Sequence, residues 1–211
     1  MEENIHSASE HYSEILNRLA TAIADAGETH IFPPGKIFRF PANKTSNLYI
    51  LQRGACSVYR KSDNLMINIY KEVMLFGLLE NYYPSGAIYF KTKTTATLTI
   101  VPFYKAIEII EKENLWKDMN DFTLYVLKRL REWDAQIMSG DAYNKLRHAI
   151  IEYANLSPEI REKMSLVVFL MKKTKLSRSS VMKMMAVLRQ RDLIEGKRAN
   201  FRITGKLPEN L

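Results

Sequence analysis

The hydrophobic pattern of this 211-residue chain changes its period along the sequence, and that change limits the fold more than any other feature. Between Thr29 and Val101 the chain consists of short runs rich in β-branched and aromatic residues, such as NLYILQRGACSVYRK and TATLTIV. Turn-forming residues, including Pro-Gly and Pro-Ser-Gly, separate the runs. Strands that recur at this spacing are typical of an antiparallel sandwich or barrel.

Helical periodicity lies on both sides of this region. Residues 5–26 place apolar side chains at helical spacing, and Gly27 supplies a stop. After Pro102 a short helix is predicted at Tyr104–Glu113. A longer helix follows, in which apolar residues recur every three or four positions over about 22 residues, long enough to cross a small domain. These residues are Leu115, Met119, Phe122, Val126, Leu130, Trp133 and Ile137.

The apolar stripe of the long helix has two interpretations. It either packs entirely on the chain's own β-domain or lies partly against a second subunit. Leu124 and Leu127, with the tyrosine between them, widen the apolar surface beyond one seam, which favours a homodimer. We therefore expect an N-terminal helix and β-domain at residues 1–113, a dimerisation helix at 114–138 and a C-terminal domain at 139–211.

The C-terminal domain begins with Ser139-Gly140, which break the long helix, and continues as short helices. The helices are predicted at Asp141–Asn155, Pro158–Lys163, Leu166–Lys173 and Arg178–Arg191. Leu193-Ile194 and Phe201–Ile203 flank EGKRAN and predict a two-stranded hairpin. Helices followed by a hairpin in this order predict a winged helix-turn-helix, and the chain as a whole has the pattern of an α+β fold.

The positive charge is confined to the same domain. Residues 1–138 carry 16 Lys/Arg and 16 Asp/Glu, whereas residues 139–211 carry 15 and 7, so the last third holds the whole net charge of +8. Such asymmetry indicates a polyanionic partner. A membrane surface is the competing partner, but the basic region shows no strongly apolar face that lacks a core to join. Nucleic acid is therefore favoured.

The helix predicted at Arg178–Arg191 has two distinct faces, and Ser177 is a suitable N-cap for it. The residues expected on its buried face are Val181, Met184, Met185 and Leu188. Those on the opposite face are Arg178, Ser179, Met182, Lys183, Ala186 and Gln190. This composition suits DNA, since Arg can fork onto guanine, Ser can donate to phosphate, and Met and Ala tolerate thymine methyl groups.

A basic, solvated helix face also occurs in proteins that never bind DNA. The position of this helix, directly before a hairpin with Lys197 and Arg198 at its tip, favours DNA. Lys175 occupies a turn that often contains Gly, which leaves the conformation of the turn open. The predicted DNA-binding residues are Ser177, Arg178, Ser179, Met182, Lys183, Lys197 and Arg198.

The order of these parts resembles the Crp/Fnr family of bacterial transcription regulators. The resemblance covers nearly the whole chain and rests on FPPGKIFRF, NLYILQRGACSVYRK, KTKTTATLTIV and LSRSSVMKMMAVLRQRDLI. It implies a β-roll like a cyclic-nucleotide-binding jelly roll, a homodimer on a palindromic operator in double-stranded DNA, and RNA polymerase as a candidate partner. Within the family, LWKD, DAYNKLRHAII and ITGKLPENL resemble an enterobacterial branch linked to hydrogen peroxide resistance, which implies a role in oxidative stress.

The chain departs from the family where a cyclic nucleotide would bind. Family members that bind cyclic AMP use a Gly-Glu pair and an Arg followed by Ser or Thr. Gly77 is present here, but Leu78 stands at the Glu position, and Gly86-Ala87 stand where Arg-Ser would be. Without the Arg a buried phosphate has no compensating charge, so we expect a degenerate nucleotide site, and the effector stays unknown.

The sequence gives little support for a redox, metal or catalytic site. The single cysteine, Cys56, excludes an intramolecular disulfide and a cysteine-ligated iron–sulfur cluster. It is predicted to be a small buried hydrophobe; the alternative is a peroxide-sensing thiol whose pKa is lowered by Arg53 and Arg60. The histidines show no metal-ligand spacing, and catalytic motifs are absent. We expect no enzymatic activity, no cofactor and no metal.

The acidic, polar N-terminus and the lack of an apolar run of ~20 residues predict a cytoplasmic protein that does not enter membranes. The sequence as a whole predicts a sequence-specific DNA-binding transcription regulator. The alternative from another class is a small-molecule or redox sensor that acts mainly through protein contacts.

Overall fold

The computed structural model describes residues 2–41, 47–71, 73–138 and 141–210, and the chain divides into two compact units. The first unit contains the chain up to Lys61 together with Asn68–Leu130. The second contains Ser62–Ile67 and the chain from Arg131 onwards. Ser139-Gly140, predicted to break the long helix, lie outside the described residues.

The first unit begins with a long helix, α1 (Glu2–Ala24), as the periodicity predicts. Ile15, Leu19 and Ile23 recur every four residues and are fully buried. Gly27 ends this segment for a steric reason, because a Cβ at that position would lie 2.5 Å from the carbonyl oxygen of Ile100. Only glycine can therefore follow α1 at this close approach to the sheet.

Among the described residues, eight strands form two four-stranded sheets, which confirms the predicted β-domain. The strands are β1 (Glu28–Phe32), β2 (Ile37–Arg39), β3 (Asn47–Arg53), β4 (Cys56–Arg60), β5 (Met66–Tyr70), β6 (Met74–Phe76), β7 (Ile88–Thr92) and β8 (Ala96–Pro102). One sheet has the order β1-β8-β3-β6 and is antiparallel throughout. The other has the order β2-β7-β4-β5, and β7 pairs antiparallel with both β2 and β4.

Aromatic rings fill the core of the β-domain around Phe90, which is fully buried. Phe38 and Phe76 stack on the Phe90 ring at centroid distances of 4.6 and 4.5 Å. Tyr49 packs edge-on against Phe90 at 5.4 Å, and Phe40 lies 5.8 Å from it. Rings from both sheets therefore meet in one cluster, with the separations that favour aromatic pairs.

The described helices after α1 in this part of the chain are α2 (Leu78–Tyr82), between β6 and β7, and α3 (Phe103–Lys112) and α4 (Trp116–Met138), after β8. The long helix α4 confirms the predicted helix. Its early stripe residues Met119 and Phe122 are buried, but Leu130 is 47% exposed. The stripe is thus buried only along its first turns, and the side chain of Ile137 lies outside the described residues.

Helix α1 lies beside α4. The Arg18 guanidinium donates two hydrogen bonds to the Asp118 carboxylate, at 3.0 and 2.8 Å. The rings of Tyr12 and Tyr125 lie 4.5 Å apart. Arg18 also holds the pKa of Asp118 below its usual range, chiefly through these hydrogen bonds. One side of α4 is therefore occupied within the chain itself.

The second unit is a small helical domain closed by a hairpin. Its elements are α5 (Ala142–Ala154), α6 (Pro158–Lys163), α7 (Leu166–Thr174), α8 (Arg178–Gln190), β9 (Ile194–Glu195) and β10 (Arg202–Ile203), and β9 and β10 pair antiparallel. Tyr153 is fully buried between Phe169 and Phe201, and its hydroxyl donates to the carbonyl oxygen of Met164 at 2.9 Å. Helices and hairpin thus share one core, and the predicted α+β fold is confirmed.

Candidate nucleic-acid interface

Helix α8 begins at an N-cap formed by Ser177. The Ser177 hydroxyl accepts a hydrogen bond from the Ser180 backbone N–H at 3.1 Å, and its backbone is extended. The hydroxyls of Ser179 and Ser180 each lie 2.9 Å from the Ser177 oxygen. The predicted cap is confirmed, and this small hydroxyl cluster forms the polar start of the helix.

The buried face of α8 is narrower than predicted. Val181, Met185 and Leu188 are fully buried, and their spacing of four and three residues places them on one side of the helix. Met184, predicted on this face, is only partly buried. Three core residues therefore hold the helix and leave most of its circumference available.

The outward face of α8 has the composition predicted from the sequence. Its exposed residues are Arg178, Ser179, Met182, Lys183, Ala186 and Gln190, together with Arg189. Sequence reasoning missed Arg189, although it lies eleven residues, or three turns, after Arg178 and so belongs to the same face. In the described chain no carboxylate pairs with Arg178 or Lys183. The charged side chains of this face are thus all cations.

The turn between α7 and α8 forms without glycine. Lys175 takes the left-handed conformation, with φ of 61° and ψ of 12°. That conformation costs a non-glycine residue about 1–2 kcal/mol. The Thr174 hydroxyl stabilises the turn, since it donates to the Leu170 carbonyl at 2.7 Å and accepts from the Leu176 N–H at 3.3 Å. The helix-turn-helix geometry therefore persists despite the lysine.

The hairpin after α8 carries three cations in different surroundings. Arg198 lies 3.8 Å from the Glu162 carboxylate and donates to the Glu162 carbonyl at 3.2 Å. Arg202 pairs with Glu195 across the hairpin. Lys197 is exposed and has no partner within the described chain. Of the two predicted DNA contacts in the hairpin, the Lys197 ammonium is therefore unpaired within the described chain, while Arg198 is shared with a carboxylate.

Not every cation of this domain lies on the surface. Lys173 is buried, and its ammonium donates to the Glu152 carboxylate at 2.7 Å. A buried amine needs such a partner, because an unpaired charge in the interior is costly. Lys173 thus contributes to the net positive charge of the domain but not to its outward cationic face.

Four residues stand at the positions where the family resemblance implies a nucleotide site, and the structure gives their local surroundings. Gly77 has a φ of 100°, and a Cβ there would lie 2.9 Å from the Asn47 carbonyl oxygen. Leu78 opens α2 and is half-buried. Gly86 has a φ of 61°, and the Ala87 carbonyl accepts from the Lys61 N–H at 2.8 Å. The side chains of Leu78 and Ala87 cannot pair with a phosphate charge, and the two glycines have no side chain.

Cys56 is fully buried in β4. Burial raises the pKa of its thiol to about 12, so the thiol is protonated at neutral pH. Arg53 and Arg60 are both exposed and do not offset this effect. The alternative, in which these arginines lower the pKa of the thiol, disagrees with the direction of this shift, whose cause is desolvation. The structure agrees with the prediction of a small buried hydrophobe.

In the resolved ranges no three His, Cys, Asp or Glu side chains are arranged to hold a metal ion. No helix among the described residues is long and apolar enough to cross a bilayer.

Comparison with known proteins identifies the second unit. Residues 142–209 match the family of winged helix-turn-helix DNA-binding domains. The chain is 24% identical over 173 residues to the inhibitor of hydrogen peroxide resistance of Escherichia coli K12, covering 82% of this chain and 83% of that protein. It is 22% identical over 178 residues to the Salmonella typhimurium protein of the same name, covering 80% and 81%.

Solved structures share the fold. The c-di-GMP-responsive global regulator CLP of Xanthomonas campestris matches with a TM-score of 0.71 and 11% identity, over 90% of this chain and all of that chain. A protein of Eubacterium rectale assigned to the Crp/Fnr family matches with a TM-score of 0.67 and 12% identity, over 89% and 90%. The resemblance seen in the sequence is confirmed: residues 142–209 match winged helix-turn-helix DNA-binding domains, and the chain has the fold of the Crp/Fnr regulators.

Proposed function

We propose that the protein is a transcription regulator that binds a specific, palindromic DNA site as a homodimer in the cytoplasm. The observation that carries this proposal is the unpaired cationic face of α8, presented by a winged helix-turn-helix domain. Helix α8 enters the major groove, where Arg178 and Lys183 reach base edges or adjacent phosphates. The contacts assigned to the phosphates are those of Ser177, Ser179, Lys197 and Arg198.

The dimer forms through α4. Leu124 and Leu127 are 52% and 50% exposed, although leucine is among the residues most often buried. They lie three residues apart, away from Met119 and Phe122, which face the chain's own core. Two copies paired along this surface present two α8 helices to half-sites about one helical turn apart. RNA polymerase is the partner through which such a regulator would act.

The β-domain does not bind a cyclic nucleotide. Two observations support this part of the proposal. Gly86 and Ala87 provide no charge for a phosphate, and an unpaired phosphate in such a site would carry a large desolvation penalty. The core between the sheets is filled by rings packed on Phe90. Addition of cyclic AMP should therefore leave the thermal unfolding midpoint and DNA affinity unchanged.

The targets belong to the response to hydrogen peroxide. This part rests on the name of the relatives in Escherichia coli and Salmonella, which match more than four-fifths of their own length. The buried thiol of Cys56 indicates that the protein influences peroxide resistance through the genes it controls rather than by direct oxidation.

Selection of bound sequences from a random DNA pool at two salt concentrations tests the proposal. We expect recovery of an imperfect palindrome with half-sites about ten base pairs apart. Binding that is equally strong on all sequences and disappears at the higher salt would contradict it, because phosphate contacts alone behave in that way.

The second candidate function is that of a small-molecule or redox sensor, which would act by binding a protein partner. The first unit exposes large apolar residues outside α4, among them Leu79, Tyr82, Tyr83 and Tyr104. Exposed apolar side chains of this size are typical of interaction surfaces when they are contiguous. The same DNA selection separates the two functions, since this sensor would recover no palindrome.

A further inference from the structure

One large apolar side chain lies on the outward face of α8. All residues of α8 are described, and Met182 is its one exposed large hydrophobic residue, at 41%. The remaining methionines of the helix behave differently, since Met185 is fully buried and Met184 is partly buried. Met182 is therefore not part of the face that anchors the helix.

The position of Met182 is central rather than marginal. It follows Arg178 by four residues and precedes Ala186 by four, so the three side chains form one row along the helix. Lys183, which is also exposed, is the next residue in the chain. An apolar strip of Met182 and Ala186 thus lies between cations on the face assigned to the major groove.

An isolated exposed methionine needs no explanation on an ordinary surface. On a helix that enters the major groove, the same side chain contacts base edges. The thymine methyl group is the apolar feature that the four standard bases present in that groove. Methionine is unbranched and polarizable, so it can adapt to such a methyl group.

We infer that Met182 determines specificity by packing against the C5-methyl group of a thymine in each half-site. This inference rests on the proposed function, because it requires α8 to lie in the major groove. The row from Arg178 to Met182 spans about 6 Å, or roughly two base-pair steps of ~3.4 Å. The thymine therefore lies within about two base pairs of the base contacted by Arg178.

The experiment uses the selected operator with each thymine replaced in turn by deoxyuridine, which removes only the methyl group. For the wild-type protein we expect one position per half-site at which replacement weakens binding about fourfold, the value for losing one buried methyl-sized group. Met182→Ala should bind the thymine operator more weakly and should no longer distinguish thymine from uracil. Met182→Leu, which keeps an apolar side chain, should retain most of the difference.

Two control variants separate this effect from a general loss of binding. Met184→Ala removes the same side chain from the same helix but off the outward face, and it should keep the thymine preference. Arg178→Ala should weaken binding about tenfold or more and relax the choice of base at another position, yet keep the methyl dependence. Thermal unfolding of each variant verifies that it is folded.

The experiment distinguishes failure of the Met182 contact from failure of the proposed regulator function. A palindrome whose thymines can all be replaced by uracil without loss would overturn the role of Met182 and leave the regulator intact. The role of Met182 would also be overturned, with the regulator left intact, if wild type and Met182→Ala distinguished thymine from uracil equally. A selected half-site that contains no thymine would have the same consequence. Failure to recover any preferred sequence would overturn both proposals.

Discussion

Cys56 is the one cysteine of the chain, and its side chain in β4 is fully buried. A thiol with a pKa of about 12 carries almost no thiolate at pH 7. Since the thiolate is the reactive form, the folded protein is protected against both alkylation and peroxide. The chemistry of this residue is thus set by burial and not by the arginines near it in sequence.

We predict that native Cys56 does not react with iodoacetamide at pH 8 and that peroxide does not change DNA binding through Cys56. Labelling followed by mass spectrometry across a urea titration should show reaction only as the protein unfolds. The unfolded thiol ionises near pH 9, so stability should fall as the pH rises above that value, because the unfolded state loses its proton first. Rapid labelling of the folded protein, or a Cys56→Ala variant that lost peroxide sensitivity present in wild type, would contradict this prediction.

At the scale of elements, the hairpin after α8 contains one unpaired cation and two cations that lie near carboxylates. Lys197 is exposed and uncommitted within the described chain, whereas Arg198 is near Glu162 and Arg202 pairs with Glu195. A cation that is paired with a carboxylate must break that ion pair, or divide its hydrogen bonds between the carboxylate and a phosphate, to neutralise the phosphate. Exposed ion pairs contribute only about 0–1 kcal/mol, so this competition is modest.

Replacement of Lys197 by Ala should weaken binding to all DNA sequences by a similar factor. It should also reduce the slope of log affinity against log salt by about 1, the value for one phosphate contact. Titrations at four salt concentrations with specific and random DNA would measure both effects. Arg202→Ala is the matched control, because Arg202 lies in the same hairpin with a carboxylate partner, and it should change the slope less. Equal slopes for Lys197→Ala and wild type would exclude the phosphate contact.

At the scale of the whole molecule, α4 has a face that its own chain does not cover. Leu124, Leu127 and Leu130 are each about half exposed. A second copy would remove this surface from water at a gain of ~25 cal/mol per Å² of apolar area. Dimerisation also places two α8 helices on one DNA, which raises the effective concentration of the second.

The double variant Leu124→Glu/Leu127→Glu should be monomeric, because two carboxylates per chain cannot be buried without partners. Sedimentation velocity would measure the mass, and binding to a full palindrome should fall at least tenfold while binding to an isolated half-site is little changed. Tyr104→Glu, an equally exposed apolar residue on α3, is the control and should leave the dimer intact. A dimeric double variant would exclude α4 as the interface.

The sequence alone was sufficient for the order of the main elements and for most of the two faces of α8, although it missed the short helix α2. The β-domain, the long helix and the winged helix-turn-helix all follow from periodicity, and Ser177 follows from cap chemistry. These features depend on residues that are neighbours along the chain or within a few turns. Arg189 could have been added to the outward face by the same reasoning, since it lies three turns after Arg178.

The tertiary structure decided which side chains are free to act. Lys173 belongs to the basic segment, but Glu152, 21 residues away, pairs with it in the interior. Arg198 is shared with Glu162, 36 residues earlier, and burial among distant strands raises the pKa of Cys56. Local periodicity assigns a residue to an element and a face. Desolvation and charge pairing depend on contacts between segments that are remote in sequence, and only the folded chain brings those segments together.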